Sequence, residues 1–252
     1  MHTNYDSIYL SPHLDDAAMS CGGQIAEQTQ QGKRVLIVTL MAGDPAMTTL
    51  SDYAQSLHSR WELITNATAE RRAEDIVACQ ILGADTAHWQ IPDCIYRTHP
   101  TTGKPFYVSD DDIFGDVHKE EHGLIDEIAG QIKHLPRCKQ YFVPLTVGHH
   151  VDHVLTRTAT EHCFGTEVYY YEDYPYAQEP GKVDAVIQVD ENQWSSEVIS
   201  ISELSLQTKI AAIAAFKSQL STFFQDEVDL EQQVRGYMNH VGGERIWQRT
   251  DK

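Results

Sequence analysis

Positive charge is scarce in this sequence. Its 252 residues carry 19 Lys and Arg against 37 Asp and Glu, a formal net charge of −18. Binding a nucleic-acid backbone needs clustered Lys and Arg at the phosphates, so that class of partner is excluded. No apolar run approaches about 18 residues, so no membrane span is expected. The first residues, MHTNYDSIYLSPHLDD, lack a basic flank followed by a long apolar run and do not read as a signal peptide. Cysteine is sparse: five residues (Cys21, Cys79, Cys94, Cys138, Cys163) at irregular spacing, with no C-x-x-C pair. They read as reduced thiols of a cytoplasmic protein, which excludes a disulfide framework and a thiolate metal site. Repeats, low-complexity runs and a clear interdomain linker are also missing. No G-x-G-x-x-G follows the first apolar run, and Gly22-Gly23 is too little for a dinucleotide site.

What is present alternates between two patterns. SIYLSP (7–12) is a short apolar run closed by a proline, and RVLIVTLMAG (34–43) is β-branched and nearly continuously apolar. Such runs suit strands of a parallel sheet covered on both faces. Between them DDAAMSCGGQIAEQTQQG predicts a helix with Gly32 as its stop. Helices are further expected at 68–83, stopped by Gly83, and at 120–135, 149–163 and 206–224; strands are expected at 88–93, 140–145, 167–175 and 184–190. Residues 44–66 and 95–118 read as long irregular segments, the first with room for a short helix, and segments of that length are often functional. Strands alternating with helices imply one α/β domain over 1–252: a Rossmann-like, doubly wound, mostly parallel sheet flanked by helices.

Open α/β sheets bind ligands beyond the carboxyl ends of their strands. Two polar clusters fall there: Ser11-Pro12-His13-Leu14-Asp15-Asp16 after the first strand, and His149-His150-Val151-Asp152-His153 after the strand ending near Leu145. His13 and Asp16 are three positions apart, as are His150 and His153, so each pair shares one side of a turn or helix. Imidazole and carboxylate donors suit zinc, and a catalytic zinc keeps three protein ligands and one open position. His13, Asp16 and His153 fill that set. Asp15 is then free to accept a proton from water, His150 to donate one or to stabilise an oxyanion, and Asp152 to hold an imidazole in one tautomer. The catalytic candidates are therefore Asp15, His150 and Asp152. Each piece has a plainer explanation when taken alone. Acids at a helix start favour the dipole, and an H-x-x-H is commonly a surface pattern. Two such clusters at strand ends point to a metal site. Two histidines and a carboxylate also accept ferrous iron, so Fe2+ and an oxygenase stay open at this point, as does a catalytically silent sugar- or metabolite-binding protein.

These residues resemble a known family. Ser-Pro-His13-Leu-Asp15-Asp16-Ala is similar to the H-P-D-D-E signature of the PIG-L/LmbE-like deacetylases, and His150-Val-Asp152-His153 to their H-P-D-H motif. Arg71-Arg-Ala-Glu74 resembles the family's R-x-x-E helix, IPD ending at Asp93 its substrate-loop aspartate, and Tyr171-Glu-Asp-Tyr-Pro175, Lys209 and Phe216-Lys-Ser-Gln219 its late motifs. The resemblance implies a zinc-dependent N-acetylglucosaminyl deacetylase on a Rossmann-like sheet. It implies zinc on His13, Asp16 and His153, Asp15 as general base, and His150 as acid or oxyanion stabiliser. Arg71 and Asp93 would contact an amino-sugar or glycoconjugate substrate. Members of the family often assemble, so a homo-oligomer is an open expectation. Leu14 and Val151 stand where the signatures carry proline, and Ala17 where the first carries glutamate. The two prolines affect stiffness, and the glutamate bears on substrate identity more than on catalysis.

Among other polar residues, His149 reads as a solvated loop histidine, and His118, His122 and His134 as surface. Tyr169 to Tyr171 read as a strand with mixed faces, and Asp110 to Asp112 as a solvated loop. Trp61 and Trp89 are candidates to line the crevice.

Overall fold

The computed structural model describes residues 4–45, 50–61, 63, 66–188 and 193–250. Its elements run β1 (Tyr5–Ser11), α1 (Asp16–Gln30), β2 (Val35–Thr39), α2 (Asp52–Arg60), α3 (Ala67–Leu82), β3 (Asp85–His88), α4 (Asp110–Ile113), α5 (His122–Ile132), β4 (Cys138–Pro144), α6 (Val151–Phe164), β5 (Tyr169–Tyr171), α7 (Lys182–Ile187), β6 (Trp194–Ile199), α8 (Glu203–Ala214), α9 (Lys217–Phe223), α10 (Glu227–Val241) and β7 (Glu244–Arg249). Short 3-10 turns fall at Cys94–Tyr96, Lys119–Glu121 and Tyr176–Gln178.

The seven strands form one sheet in the order β3-β2-β1-β4-β5-β7-β6. The first five are parallel neighbours, and β7 pairs antiparallel with both β5 and β6. The chain leaves β1 toward β2 and β3, then crosses back to place β4 on the other side of β1. That reversal opens a crevice at the carboxyl ends of β1 and β4, where a doubly wound sheet takes its ligand. Alternation along β1 decides the two layers. Ile8 and Leu10 face a core with Ile128 and Ile132 of α5 and Leu155 and Ala159 of α6. Tyr9 faces the other core with Cys21 and Ile25 of α1, Cys79 and Leu82 of α3, and Phe216. Burying such side chains on both faces contributes about 1.5–3 kcal/mol each, so the strand is fixed in register.

Both segments expected to be irregular carry structure. The first contains α2, capped by Ser51, whose side chain accepts from the Ala54 N–H; residues 46–49, 62, 64 and 65 lie outside the described set. Ala54, Leu57 and Trp61 from it pack with Cys94 and with Ile95, Tyr96, Tyr107 and Ile113 from the second, and both rest on Val151 at the start of α6. This third apolar cluster fixes a roof over the crevice.

Four expected elements differ. The strand expected at 88–93 forms earlier, at β3, and only isolated bridges follow it, at Gln90 and Pro92, because Pro92 has no N–H to continue a ladder. The strand expected at 167–175 is confined to β5. Residues 184–187 of the strand expected at 184–190 are the end of helix α7: Val183, Val186 and Ile187 share a helical face on the core, while residues 189 and 190 lie outside the described set. The helix expected at 206–224 is two, α8 and α9, because Phe216 breaks the turn at ψ 64 to enter the core. In addition β6, α10 and β7 carry no strong periodic signal and were not anticipated. The glycine stops hold: Gly32 and Gly83 have φ of 76 and 73°.

Candidate metal and catalytic site

Seven of the candidate residues line one cavity at the carboxyl ends of β1 and β4: His13, Asp15, Asp16, Arg71, Asp93, His150 and His153. Asp152 does not line it. It is fully buried directly behind His13, and its Oδ2 accepts from His13 Nε2 at 3.0 Å.

β1 ends at Ser11, whose hydroxyl donates to the His13 carbonyl at 2.6 Å and accepts from the Ala17 N–H at 3.1 Å. This tight turn aims His13 and the first turn of α1 at one point. Asp16 accepts the His13 backbone N–H at 2.8 Å on Oδ2. The same oxygen lies 3.2 Å from His13 Nδ1 and 3.2 Å from His153 Nε2. Two donors on one tetrahedral zinc at about 2.0–2.1 Å stand about 3.3 Å apart, close to the separation of the Asp16 oxygen from each of these two nitrogens. One nitrogen each of His13, His150 and His153 also lies within 4.8 Å of the others.

The far nitrogens of His13 and His153 are each held by a carboxylate. His13 Nε2 has Asp152; His153 Nδ1 has Asp173, at 2.6 Å. Carboxylates in that position orient metal-binding imidazoles and fix which nitrogen is free. Here they leave Nδ1 of His13 and Nε2 of His153 for a metal. Asp173, which also accepts the Val147 N–H at 2.8 Å, follows the short strand β5 and sits in the stretch already singled out as a late motif, but no role could be read for it there.

Charge separates the two adjacent aspartates. Burial would raise Asp16, but His153 and His13 outweigh it and hold the carboxyl well below its usual range. Burial raises Asp15, with Arg71 offsetting only part. Asp15 occupies the N-cap position of α1, yet its side chain caps nothing. It receives a long contact from Arg71 Nη2, at 3.4 Å, and its own backbone N–H. The plain explanation, an acid serving a helix start, therefore does not account for it. Neighbouring carboxyls driven apart in this way suit two roles, a ligand and a base. Burial opposes charging His153, but Asp16 and Asp173 raise it to about 9. His13 is likewise raised, by Asp93, Asp152 and Asp16 against its burial.

His150 is different. Its Nδ1 accepts the Asp152 N–H at 3.2 Å, capping α6, so the hydrogen-bond pattern assigns its proton to Nε2. Burial and the neighbouring His13 hold it well below the usual histidine range, hence neutral. Arg71 is buried, stacks on Trp61 at 4.7 Å, and stands 4.0 Å from Asp93. Its Nε has no partner among the described residues. Asp93 caps the turn at Cys94–Tyr96. Of the two tryptophans, Trp61 lines this cavity and Trp89 does not. Asp110 lines it too, at the start of α4, where Tyr53 donates to it at 2.6 Å. His149 is exposed, as expected.

The chain is similar to several known proteins. The 2′-N-acetylparomamine deacetylase of Niallia circulans is 24% identical over 97% of this chain and 91% of its own length. The teicoplanin deacetylase in its zinc-inhibited form superposes with a TM-score of 0.80 at 27% identity, covering 99% of this chain and all of that one. The A40926 pseudoaglycone deacetylase superposes with a TM-score of 0.73 at 26% identity, covering 98% and 97%. The family model for GlcNAc-PI de-N-acetylase matches residues 8–164, which include both polar clusters. This chain belongs to that family, PIG-L, whose members are zinc-dependent N-deacetylases.

Proposed function

We propose that this protein removes an N-acetyl group from an amino sugar carried in a larger molecule, with zinc held by His13, Asp16 and His153. The observation that carries this reading is the Asp16 oxygen placed 3.2 Å from a nitrogen of each histidine, with an uncommitted, raised carboxyl at Asp15 beside it. A bound zinc would lower the pKa of its water to about 7 and polarise the amide carbonyl. Ferrous iron suits the same donors; the adjacent base is what favours hydrolysis over oxygen chemistry.

Asp15 takes the proton from the attacking water and returns it to the departing sugar amine, so one group serves as base and then acid. His150, neutral with its proton on Nε2, donates a hydrogen bond to the oxygen that becomes negative as the carbonyl is attacked. Asp152 and Asp173 act through His13 and His153, fixing their tautomers. Arg71, held flat by Trp61, and Asp93 offer a donor fork and an acceptor to sugar hydroxyls. The names of the relatives, deacetylases of an acetylated paromamine and of teicoplanin, point to an amino sugar within a larger molecule.

The test is amine release from N-acetylated amino sugars and their glycosides, with zinc-replete and chelated protein side by side. Release that chelation abolishes supports the reading. Bound zinc with no release from any member moves the substrate outside acetamido sugars. Binding of sugar with no metal retained would make the chain a silent binding protein.

A further inference from the structure

The loop segment between β3 and α5 contains a buried arginine, Arg97, that does not line the cavity of the candidate site. Arg97 donates from Nη1 to Asp152 Oδ1 at 2.6 Å and to the Pro92 carbonyl at 3.2 Å. Its Nε and Nη2 donate to the two oxygens of Glu121, a forked pair. Glu121 in turn accepts from Tyr107 at 2.6 Å. All of these side chains are buried, with Arg97 at 8%, Glu121 at 5% and Asp152 at 0% exposure. The other Asp152 oxygen accepts from the Cys94 N–H at 3.0 Å and faces His13 Nε2 at 3.0 Å. Each oxygen of Asp152 thus has its own partners, and the carboxylate cannot rotate without breaking a bond at both ends.

We propose that Arg97, braced by Glu121, is a positioning residue for the metal site: it fixes the Asp152 carboxylate, which fixes His13 with Nδ1 turned toward Asp16. The inference rests on the metal reading of His13. It assigns the segment around residues 92–121 a part in building the metal centre, in addition to roofing the cavity. A merely structural tie would hold that segment down and nothing more. What distinguishes them is that both Asp152 oxygens are held, one by Arg97 Nη1 and the other by the Cys94 N–H, while the fork onto Glu121 fixes the plane of the guanidinium that reaches Asp152.

The experiment measures the zinc dissociation constant of the full chain by competition with a chelating indicator, at a temperature where melting curves show each variant folded. Zinc binding by the unchanged protein comes first: its absence overturns the metal reading itself. Given binding, Arg97→Met should weaken zinc by about 10- to 100-fold, the usual effect of losing a partner behind a metal ligand. At saturating zinc its KM should match that of the unchanged protein, because Arg97 does not line the cavity. Should Arg97→Met fail to fold, Glu121→Gln replaces it, and zinc should weaken in the same direction by a smaller factor. Zinc affinity within about twofold of the unchanged protein, in whichever variant folds, overturns the proposal.

Discussion

Replacing Asp173 with asparagine tests the carboxylate behind His153 with almost no change in shape. Asp173 meets two N–H donors, one on each oxygen: Val147 N at 2.8 Å and His153 Nδ1 at 2.6 Å. An asparagine offers one oxygen and one NH2 group. If the oxygen stays on the Val147 N–H, the NH2 faces His153 Nδ1, which must then accept. The ring proton moves to Nε2, the nitrogen turned toward Asp16, and a metal cannot bind there. If the amide flips, His153 keeps its tautomer but two donors face each other at Val147 in a fully buried place. Leaving a buried N–H unmet costs about 1–3 kcal/mol. At about 1.4 kcal/mol per factor of ten, zinc binding to Asp173→Asn should weaken about 5- to 150-fold. The assay is zinc competition against a chelating indicator at neutral pH, with melting curves run in parallel. Turnover should return when zinc is raised. Affinity within about twofold of the unchanged protein, in a folded variant, would refute the tautomer argument.

Asp15→Asn should keep zinc and fold but lose turnover by about 10²- to 10⁴-fold, the usual contribution of a general base; retained turnover in a steady-state assay would remove Asp15 from that role. Zinc binding should depend on pH. His153 is raised to about 9 without metal, so its imidazolium predominates below that pH and zinc must displace a proton. Apparent affinity should therefore climb as pH rises from about 6 to 8, by about tenfold per unit for each proton displaced, whereas a flat profile would show that the histidines are already neutral. Outside the lining of the site cavity, Lys209 and Glu244 form a buried pair at 2.7 Å, each about 2–4% exposed, beside Gly22 and Gly23 of α1. Lys209→Met leaves Glu244 charged and buried with only the Gly23 and Gln24 N–H groups, and should cost about 3–5 kcal/mol in urea unfolding.

How much of this was legible follows from where each residue sits in the chain. His13, Asp15, Asp16, His150 and His153 were readable because they lie in two short runs directly after apolar strands, and a parallel sheet sends such runs to one edge. Asp173 had the same signal, since it follows β5, the neighbour of β4. The strand is only three residues long, however, and its tyrosines masked it. Arg97 and Glu121 had none: they meet Asp152 from a segment with no period, through contacts that only the folded roof creates. Trp61 was a candidate without a stated partner, and stacking on Arg71 supplies one. The strand expected at 184–190 failed for a different reason. A β-branched run of that length fits either period, and the core face of α7 decided it. The carboxyl-terminal α10 and β7 lacked a sequence signal of their own, and their place is set by pairing with β5 and by the buried Glu244.

The most direct test of the site is a zinc-loaded crystal structure with anomalous scattering at the zinc edge. The account predicts one ion at about 2.0–2.2 Å from His13 Nδ1, Asp16 Oδ2 and His153 Nε2, with Asp15 uncoordinated beside it. Zinc on Asp15, or zinc held by the neighbouring Cys94, His150 and Asp152 with the first three donors empty, would contradict it.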